Sequence, residues 1–387
     1  MLHQTNPDKP LHPASLTKMM TLLLLFDAME AGQIGTGDRI PVSARAASVV
    51  PSKLGLKPGS SIRVEDAIYA LVTKSANDVA VAIAEALGGT ETRFAGMMTR
   101  KAAELGMTLA TLTDLLQTDT TTSGHPGAIG AFNVIHLEHA EALVAAAELS
   151  GIPLVLQISE NCVRYHGSLA PIATATRVLA ERAGVPLALH LDHAEDATLV
   201  REAIGLGFTS VMFDGSTLPD ARNREVTRLV VGWCHDAGIS VEAELGEVGG
   251  KDGVHAPGVR TDPADAAQFV ADTGVDALAV AVGSSHAMTE RTAVLDLELI
   301  ARLRDAVPVP LVLHGSSGVP DETLRAAVAA GMRKVNIATH LNKVFTASVR
   351  QTLAAKPELV DTRKYLAPAR EAVTVETARL QRLLAGH

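Results

Sequence analysis

From residue 128 to residue 339, short runs of aliphatic and β-branched residues alternate with longer amphipathic segments. The runs recur about every 25 to 40 residues, which is the spacing of strand–helix units. Eight of them are present, at 128–134, 153–159, 187–193, 210–215, 240–246, 277–283, 310–317 and 334–339. Eight parallel strands with right-handed helical crossovers close most economically into a barrel. We therefore predict an α/β fold, a (β/α)₈ TIM barrel, with its chemistry at the C-terminal ends of the strands.

The first part of the chain lacks this rhythm. Residues 1–107 are predicted as helix, loop and helix, with a Gly- and Pro-rich middle at 51–61 that favours turns and little sheet. A chain of 387 residues can hold one barrel of about 250 residues and a smaller domain. We place the boundary near Met107, which gives a smaller, mostly helical segment at 1–107 and the barrel at 108–387.

Composition excludes several partners. The formal net charge is −9 and no Lys/Arg-rich run is present, so we expect no nucleic-acid partner. The strongest apolar run, 19–26, is too short to cross a bilayer and lacks the pattern of a signal peptide, so we predict a buried helix segment and no membrane partner. Cys162 and Cys234 lie in apolar stretches and are predicted as reduced core thiols, which favours the cytoplasm.

Side chains that can bind a metal follow four of the eight predicted strands. They are His193, Glu244, His286 and His314. Any one of these histidines alone is more typical of a hydrogen-bonded structural residue. Three imidazoles near one carboxylate at the same end of a barrel instead indicate a catalytic zinc-type site, in which the cation polarises a carbonyl or enediolate oxygen.

Two carboxylates are candidates for proton transfer. Asp192 precedes His193 directly and is the predicted general acid; the alternative is a carboxylate that only orients a ligand histidine. The Gly-rich loop 246–258 carries Glu247 and Asp252 and could fold over the site with a second carboxylate as the base. The alternative for this loop is a solvent-exposed turn with ordinary acidic residues.

The ends of the last two predicted strands favour an anion. They offer small residues, hydroxyl groups and backbone N–H groups, at Gly315, Ser316, Ser317, Asn336, Ile337, Ala338 and Thr339. Barrels commonly bind phosphate after strands seven and eight. We therefore predict a phosphorylated small-molecule substrate.

From about Thr108 onward the chain resembles the class II (zinc-dependent) fructose- and tagatose-bisphosphate aldolases. The resemblance is carried by GAFNV at 130, LHLDHAED at 189, VEAELGEVGG at 241, VAVGSSHAM at 280, LVLHGSSGV at 311 and KVNIAT at 334. It implies one catalytic Zn²⁺ held by His193, His286 and His314, with Asp192 protonating the aldehyde oxygen during condensation. It also implies that Asp214 and Glu244 hold a second or displaced metal, or that a monovalent cation binds nearby.

The same resemblance implies a substrate orientation. The triose-phosphate contacts fall on Gly315 to Ser317 and on Asn336 to Thr339, and Ser159 lines the aldehyde side. The chain departs from the family pattern at two positions. Asp252 stands where the family usually has the Glu that abstracts a proton, and Ala287 replaces a common Gly after the second zinc histidine.

The first segment carries motifs of another kind. Ser15 and Lys18 are three residues apart, so on a helix the lysine could activate the serine, and Ser75 and Asn77 form a second element. With the LGM sequence at 105, this segment resembles a truncated serine D-alanyl-D-alanine carboxypeptidase of the penicillin-binding class. The third motif of that class, Lys-Thr/Ser-Gly, is absent from the sequence, so these residues are predicted to be a vestigial peptidase motif.

Three functions are therefore distinguished. The leading one is an aldehyde-lyase of carbohydrate metabolism that cleaves a ketose 1,6-bisphosphate, of the fructose or tagatose type, to dihydroxyacetone phosphate and an aldehyde. The second is a serine acyl-transferase in the first segment. The third is a non-catalytic fusion, in which a fragment with an exposed apolar helix face at 22–26 accompanies the barrel. We expect a homo-oligomer, either a dimer or a tetramer.

Overall fold

A computed structural model describes residues 17–104, 109–117, 127–245, 260–285, 288 and 290–386. The chain divides into two compact units, Met1–Leu105 and Gly106–His387. Among the described residues, no helix is long and apolar enough to cross a membrane.

The first unit is mostly helical, as predicted. Its elements are α1 (Thr17–Glu30), β1 (Arg39–Pro41), α2 (Ala44–Ser48), β2 (Ser61–Arg63), α3 (Val64–Lys74), α4 (Asn77–Gly88) and α5 (Glu91–Glu104). The strands β1 and β2 pair antiparallel with Ile40 opposite Ile62, and this small sheet was not predicted. Helix α1 buries Leu24 and Leu25 but leaves Met19 67% and Phe26 46% exposed, so the predicted buried helix segment is buried on one face only.

A buried carboxylate holds the Gly- and Pro-rich middle of this unit in place. Asp78, in the first turn of α4, is inaccessible to solvent. It accepts hydrogen bonds from the backbone N–H groups of Leu54, Gly55 and Leu56 at 2.8 to 3.0 Å. Backbone groups of a loop need such partners when they are buried, because an unpaired N–H away from water is costly.

The second unit is a closed barrel of parallel strands in the order β10-β3-β4-β5-β6-β7-β8-β9. The strands are β3 (Ile129–Asn133), β4 (Leu154–Ser159), β5 (Leu187–Ala194), β6 (Ser210–Phe213), β7 (Ser240–Glu244), β8 (Ala277–Ala279), β9 (Leu311–Leu313) and β10 (Met332–Ile337). Each of the eight predicted strands is present, and the TIM barrel is confirmed.

One helix precedes the first strand of the barrel, and the other helices follow strands and cover it. They are α6 (Leu112–Gln117), α7 (Leu137–Ser150), α8 (Glu160–His166), α9 (Ala170–Ala180), α10 (Ala197–Gly205), α11 (Asp220–Asp236), α12 (Pro263–Thr273), α13 (Leu297–Ala306), α14 (Asp321–Ala330), α15 (Thr339–Ala355) and α16 (Thr362–Ala385). Helix α12 begins at the predicted cap, since Asp262 accepts from the N–H groups of Ala264 and Asp265.

One end of the barrel is closed by α6. Leu112, Leu115 and Leu116 belong to the same apolar cluster as interior strand residues such as Ala131 and Val312. The N–H of residue 110 donates to the carbonyl of residue 187, at the start of β5. The helix therefore blocks the N-terminal ends of the strands, and the polar interior lies towards the C-terminal ends.

Candidate active site

A bulge in β5 brings two consecutive side chains to the mouth of the barrel. Successive residues of a regular strand point to opposite faces, so Asp192 and His193 could not both face the interior. The register between β5 and β6 shifts between Leu191 and Ala194, and His193 has a φ of 48°, in the left-handed region. A bulge of this kind re-aims a side chain next to a site, at a cost of about 1 kcal/mol for the non-glycine residue.

Three donors from different strands meet beside this bulge. One ligand atom each from His193, Glu244 and His314 lies within 4.8 Å of the other two. The Nε2 of His193 and the Nδ1 of His314 face each other at 2.9 Å. Two imidazole nitrogens and a carboxylate oxygen are the donor set of a borderline divalent cation such as zinc, so the residues present fit the metal.

Each histidine of this group is oriented by a carboxylate on its other nitrogen. The Nδ1 of His193 lies 2.7 Å from Asp214 Oδ2. The Nε2 of His314 lies 2.8 Å from Glu242 Oε1. Such contacts orient each ring and leave its other nitrogen turned towards the donor group. Asp214 was predicted as a metal ligand, but in this structure its carboxylate contacts the ring of His193 and the hydroxyl of Ser216.

Three carboxylates surround His193. Burial alone would lower the pKa of this imidazole, but the negative charges of Asp192, Asp214 and Glu244 outweigh burial and raise the pKa to about 9. The excess of negative charge at this point also favours a cation among these residues.

A salt bridge lies beneath the donor group, in the barrel interior. Glu242 Oε2 accepts from Lys334 Nζ at 2.7 Å, while its other oxygen contacts His314. The three side chains are fully inaccessible to solvent. Burial and the charge of Lys334 lower the pKa of the neighbouring His190 well below its usual value. The interior therefore holds one paired ammonium and carboxylate with a neutral imidazole beside them.

Asp192 has one oxygen paired and one buried without a partner among the described residues. Its Oδ2 accepts from the Asn133 amide at 3.1 Å, and its Oδ1 has no hydrogen-bond partner among the described residues. The side chain is buried yet lines the cavity. The alternative considered for Asp192, a carboxylate that orients a ligand histidine, describes Asp214 instead.

A cavity of about 450 Å³ opens at the C-terminal ends of the strands. Its described lining comprises Asn133, Ile135, Gln157, Ser159, Asn161, Arg164, Asp192, His193, Glu195, Gly315, Ser316, Ser317, Asn336, Ala338, Thr339 and Asn342. The predicted phosphate residues are thus in the lining, except Ile337, whose side chain is buried in the hydrophobic core.

The end of this cavity that is predicted to bind phosphate depends on a close backbone approach. Gly315 has a φ of 65°, and a Cβ there would meet the backbone of Ser285 at 2.6 Å, so no larger residue fits. Ser317 Oγ accepts from the N–H groups of Ala338 and His340 at 3.3 and 3.1 Å. This places a hydroxyl and the first turn of the long helix α15 together, an arrangement that suits an anion.

Several predicted residues lie outside the described residues. They are the third histidine His286 with its neighbour Ala287, the loop carboxylates Glu247 and Asp252, and Ser15 of the first segment. In the first unit, Lys18 Nζ donates to Ser75 Oγ at 3.0 Å, and the Asn77 amide donates to the carbonyl of Val50 at 3.1 Å. The two predicted peptidase elements therefore meet through Lys18 and Ser75.

Four residues one layer below the site were not predicted from the sequence. Each of them precedes a predicted site residue by two places along a strand; they are Gln157, His190, Glu242 and Lys334. Because strand side chains alternate, a residue two positions earlier faces the same interior. That spacing was the signal available in the sequence.

Comparison with known proteins identifies both regions. Residues 113–386 match the family described as fructose-bisphosphate aldolase class-II, and residues 1–139 match the D-alanyl-D-alanine carboxypeptidase family. A fructose-bisphosphate aldolase of Geobacillus stearothermophilus is 40% identical over 250 residues, which cover 64% of this chain and 87% of that protein. A probable fructose-bisphosphate aldolase of Bacillus subtilis is also 40% identical, over 69% of this chain and 94% of its own length.

The solved structures agree. The YdjI aldolase of Escherichia coli K12 superimposes with a TM-score of 0.62 at 32% identity, covering 71% of this chain and 97% of that one. A putative fructose-1,6-bisphosphate aldolase from Coccidioides immitis gives a TM-score of 0.62 at 30% identity, over 70% of this chain and 95% of its own. This chain therefore belongs to the class II fructose-bisphosphate aldolases, which are aldehyde-lyases, and it carries before the barrel a region of the D-alanyl-D-alanine carboxypeptidase family.

Proposed function

We propose that the barrel cleaves a ketose 1,6-bisphosphate, of the fructose or tagatose type, into dihydroxyacetone phosphate and an aldehyde. The observation that carries this proposal is that a metal-type donor, a buried carboxylate and an anion-suited loop line one cavity. Retro-aldol cleavage needs these three components, namely an electrophile at the carbonyl oxygen, a base at the hydroxyl on the β carbon, and groups that bind the phosphate.

Membership of the class II family implies a divalent metal, and His193, Glu244 and His314 are the described residues that could hold it. We propose zinc, with His286 as a further ligand; a second divalent ion or a monovalent cation near Asp214 and Glu244 is part of the same proposal. When bound, the ion acts as a Lewis acid that withdraws electrons from the carbonyl and stabilises the negative charge left by carbon–carbon cleavage.

Asp192 moves the proton on the aldehyde side. Asp192 lines the cavity and the Asn133 amide holds one of its oxygens, so the carboxylate has a fixed direction. In cleavage it takes the proton from the hydroxyl of the carbon that becomes the aldehyde, and in condensation it returns that proton. Asp252 is our candidate for the second proton transfer, at the triose carbon.

The triose phosphate is held at the opposite end of the cavity. Gly315, Ser316 and Ser317 supply a turn that lines the cavity, Asn336 lies near the end of β10, and Ala338 with Thr339 supplies the start of α15. Neutral donors and a helix N-terminus bind a phosphate without a lysine or arginine. This explains how an acidic protein could bind an anionic sugar.

The test compares retro-aldol rates on fructose 1,6-bisphosphate and tagatose 1,6-bisphosphate, with and without zinc. We expect activity on at least one of them that is lost with a chelator and restored by zinc. Asp192→Asn should lower kcat about 100- to 10,000-fold while zinc still binds. The matched control is Asp305→Asn, which removes an exposed carboxylate paired with Arg304 and should leave the rate unchanged. Full activity after metal stripping, or in Asp192→Asn, would refute the proposal.

We further propose that residues 1–107 form a separate, non-catalytic segment joined to an aldolase barrel at 108–387. The absence of a Lys-Thr/Ser-Gly motif supports this, because the acyl site would lack a substrate-binding cation and a wall. We also propose a homo-oligomer that acts in the cytoplasm, where the two buried, unpaired cysteines would stay reduced.

A further inference from the structure

A network of charged side chains links the C-terminal helix α16 to three other parts of the barrel. Arg379, in α16, donates from Nη1 to Asp321 Oδ2 at 2.6 Å, and from Nε and Nη2 to Glu376 at 2.8 Å. The other oxygen of Asp321 accepts from Arg291, which lies between β8 and α13. Glu376 also contacts α15, since its Oε1 lies 2.7 Å from His340 Nε2. The network therefore joins α14, α15, α16 and the segment after β8.

Both ends of this network contact the turn at 315–319, whose first part is proposed to bind phosphate. At one end, Nε and Nη2 of Arg291 donate to the carbonyl of Val319 at 2.8 and 2.6 Å. At the other end, the backbone N–H of His340 donates to Ser317 Oγ at 3.1 Å. A hydroxyl that accepts N–H bonds still has its own hydrogen to donate to an anion. The turn is thus held from two sides by one set of ion pairs.

Glu376 is the member of the network that connects these two sides. Burial alone would raise the pKa of its carboxyl, but Arg379 and His340 outweigh burial and lower the pKa to about 2. The side chains of Glu376 and His340 are each only 20% exposed. Ion pairs that are fully exposed contribute little, because water screens them and both side chains stay mobile. A carboxylate that is mostly buried and accepts from two partners restricts both of them.

The residues proposed to hold the phosphate are themselves uncharged, and the network does not line the cavity. Arg291, Asp321, His340, Glu376 and Arg379 are absent from the described lining. The network can therefore affect a ligand there only through the residues that it holds in place. Hydrogen bonds from neutral donors weaken steeply when they are misaligned. Affinity for a phosphate thus depends on how the turn is placed relative to the first turn of α15.

We propose that Glu376 is a positioning residue for the triose-phosphate end of the cavity. Through His340 it holds the start of α15 against Ser317, and through Arg379 it reaches the other side of the turn. It thereby sets the affinity of the cavity for a phosphate monoester. This inference rests on the proposed aldolase function, which assigns the phosphate to this turn.

The experiment measures the binding of glycerol 3-phosphate, a phosphate monoester without a carbonyl group, to the zinc-loaded full chain by calorimetry. Glu376→Gln keeps the shape of the side chain and removes its charge. It should raise the Kd about 3- to 30-fold, the range expected when a coupled network is perturbed away from the ligand. The KM for the cleaved ketose bisphosphate should rise by a similar factor, while kcat changes by less than about twofold, because uniform binding is lost.

Two further variants separate positioning from general destabilisation. His340→Phe breaks the same contact from the α15 side and should raise the Kd comparably, which also provides the test if Glu376→Gln does not fold. The double variant should be little worse than either single one, since both remove one interaction. Glu141→Gln is the matched control: Glu141 pairs with Arg370 of the same helix α16 and neither residue lines the cavity, so the Kd should change by less than about twofold.

The failures of the two proposals are distinguishable, because binding of glycerol 3-phosphate needs no turnover. If the wild type cleaves a ketose bisphosphate but Glu376→Gln and His340→Phe bind the probe as tightly as Glu141→Gln, the inference is wrong and the aldolase function stands. Loss of stability without loss of affinity, additive effects in the double variant, or a wild type that does not bind the probe also overturn it. If the variants weaken binding as expected but the wild type cleaves no ketose bisphosphate, the proposed function fails and the positioning role stands.

Discussion

Replacing Glu242 by Gln tests whether the buried network beneath the donor group supports the metal site. The substitution keeps the shape of the side chain but removes its charge. Glu242 contacts His314 Nε2 at 2.8 Å and Lys334 Nζ at 2.7 Å, and neither partner is accessible to solvent. One change therefore perturbs both the orientation of a donor histidine and the buried ion pair of Lys334.

The two effects have separate magnitudes. A carboxylate that orients a ligand histidine typically contributes 10- to 100-fold to metal affinity, so Glu242→Gln should weaken zinc binding by about that factor. Removing one partner of a buried ion pair typically costs about 3 to 5 kcal/mol, because the remaining charge is left without compensation. The metal-free barrel should lose a comparable free energy of unfolding.

A double substitution distinguishes them. Glu242→Gln combined with Lys334→Met removes the unpaired ammonium, so it should recover much of the unfolding free energy. It should not recover zinc affinity, since the amide still lacks the charge that orients His314. Recovery of both quantities together would mean that the metal effect is only a consequence of destabilisation.

The assay can observe the barrel by itself. Trp233 is the only tryptophan of the chain and lies in α11, with the guanidinium of Arg201 4.0 Å from its ring centroid. Urea unfolding followed by its fluorescence in the presence of chelator reports the barrel, and competition with a chromogenic chelator gives zinc affinity. Glu181→Gln is the control, because Glu181 forms an exposed pair with Arg177 at 3.7 Å and should change stability by less than about 0.5 kcal/mol. A Glu242→Gln protein indistinguishable from this control in both assays would refute the reasoning.

Three other predictions follow from buried groups and from the first unit. Burial and the neighbouring His136 lower the pKa of His139 to about 3, so the folded barrel binds a proton less readily than the unfolded chain. This effect on the free energy of unfolding should be absent above pH 6.5, and the free energy should fall by about 1.4 kcal/mol per pH unit below it. Urea unfolding at pH 7 and pH 5 should therefore show a smaller loss in His139→Phe than in the wild type. Equal losses in the two proteins would contradict the prediction. Asp78→Asn should destabilise the first unit by about 2 to 3 kcal/mol, seen as faster proteolysis at 54–56, because three backbone N–H groups lose a charged acceptor. Fluorescent penicillin should not label the chain, and a label that disappears in Ser15→Ala would contradict the vestigial assignment.

The barrel could be predicted because its signal repeats. Eight aliphatic runs at similar spacing allow little besides a closed parallel sheet. Strand ends were less predictable: the run 310–317 forms a strand only at Leu311–Leu313, because the backbone turns into the left-handed region at Gly315. The small β1–β2 sheet of the first unit was missed because each strand has only three residues, too few for the alternation around Ile40 and Ile62 to stand out in the sequence.

The candidate site was predictable in composition but less so in geometry. Asp192 and His193 were recognisable as a pair, but regular alternation would separate them. What unites them is a register shift against β6, and that shift depends on the neighbouring strand rather than on local sequence. The contact of Asp214 likewise needed the structure, which places its Oδ2 2.7 Å from His193 Nδ1.

The barrel itself explains why the three donors converge. His193, Glu244 and His314 come from or directly follow β5, β7 and β9, which alternate in the closed order of strands. Interior side chains of such barrels form layers contributed by alternate strands, so these three strands bring their side chains to one height. Asp214 follows β6, an intermediate strand, and contacts the back of the His193 ring instead of joining the group. A donor transferred to β6 should therefore not replace a lost one.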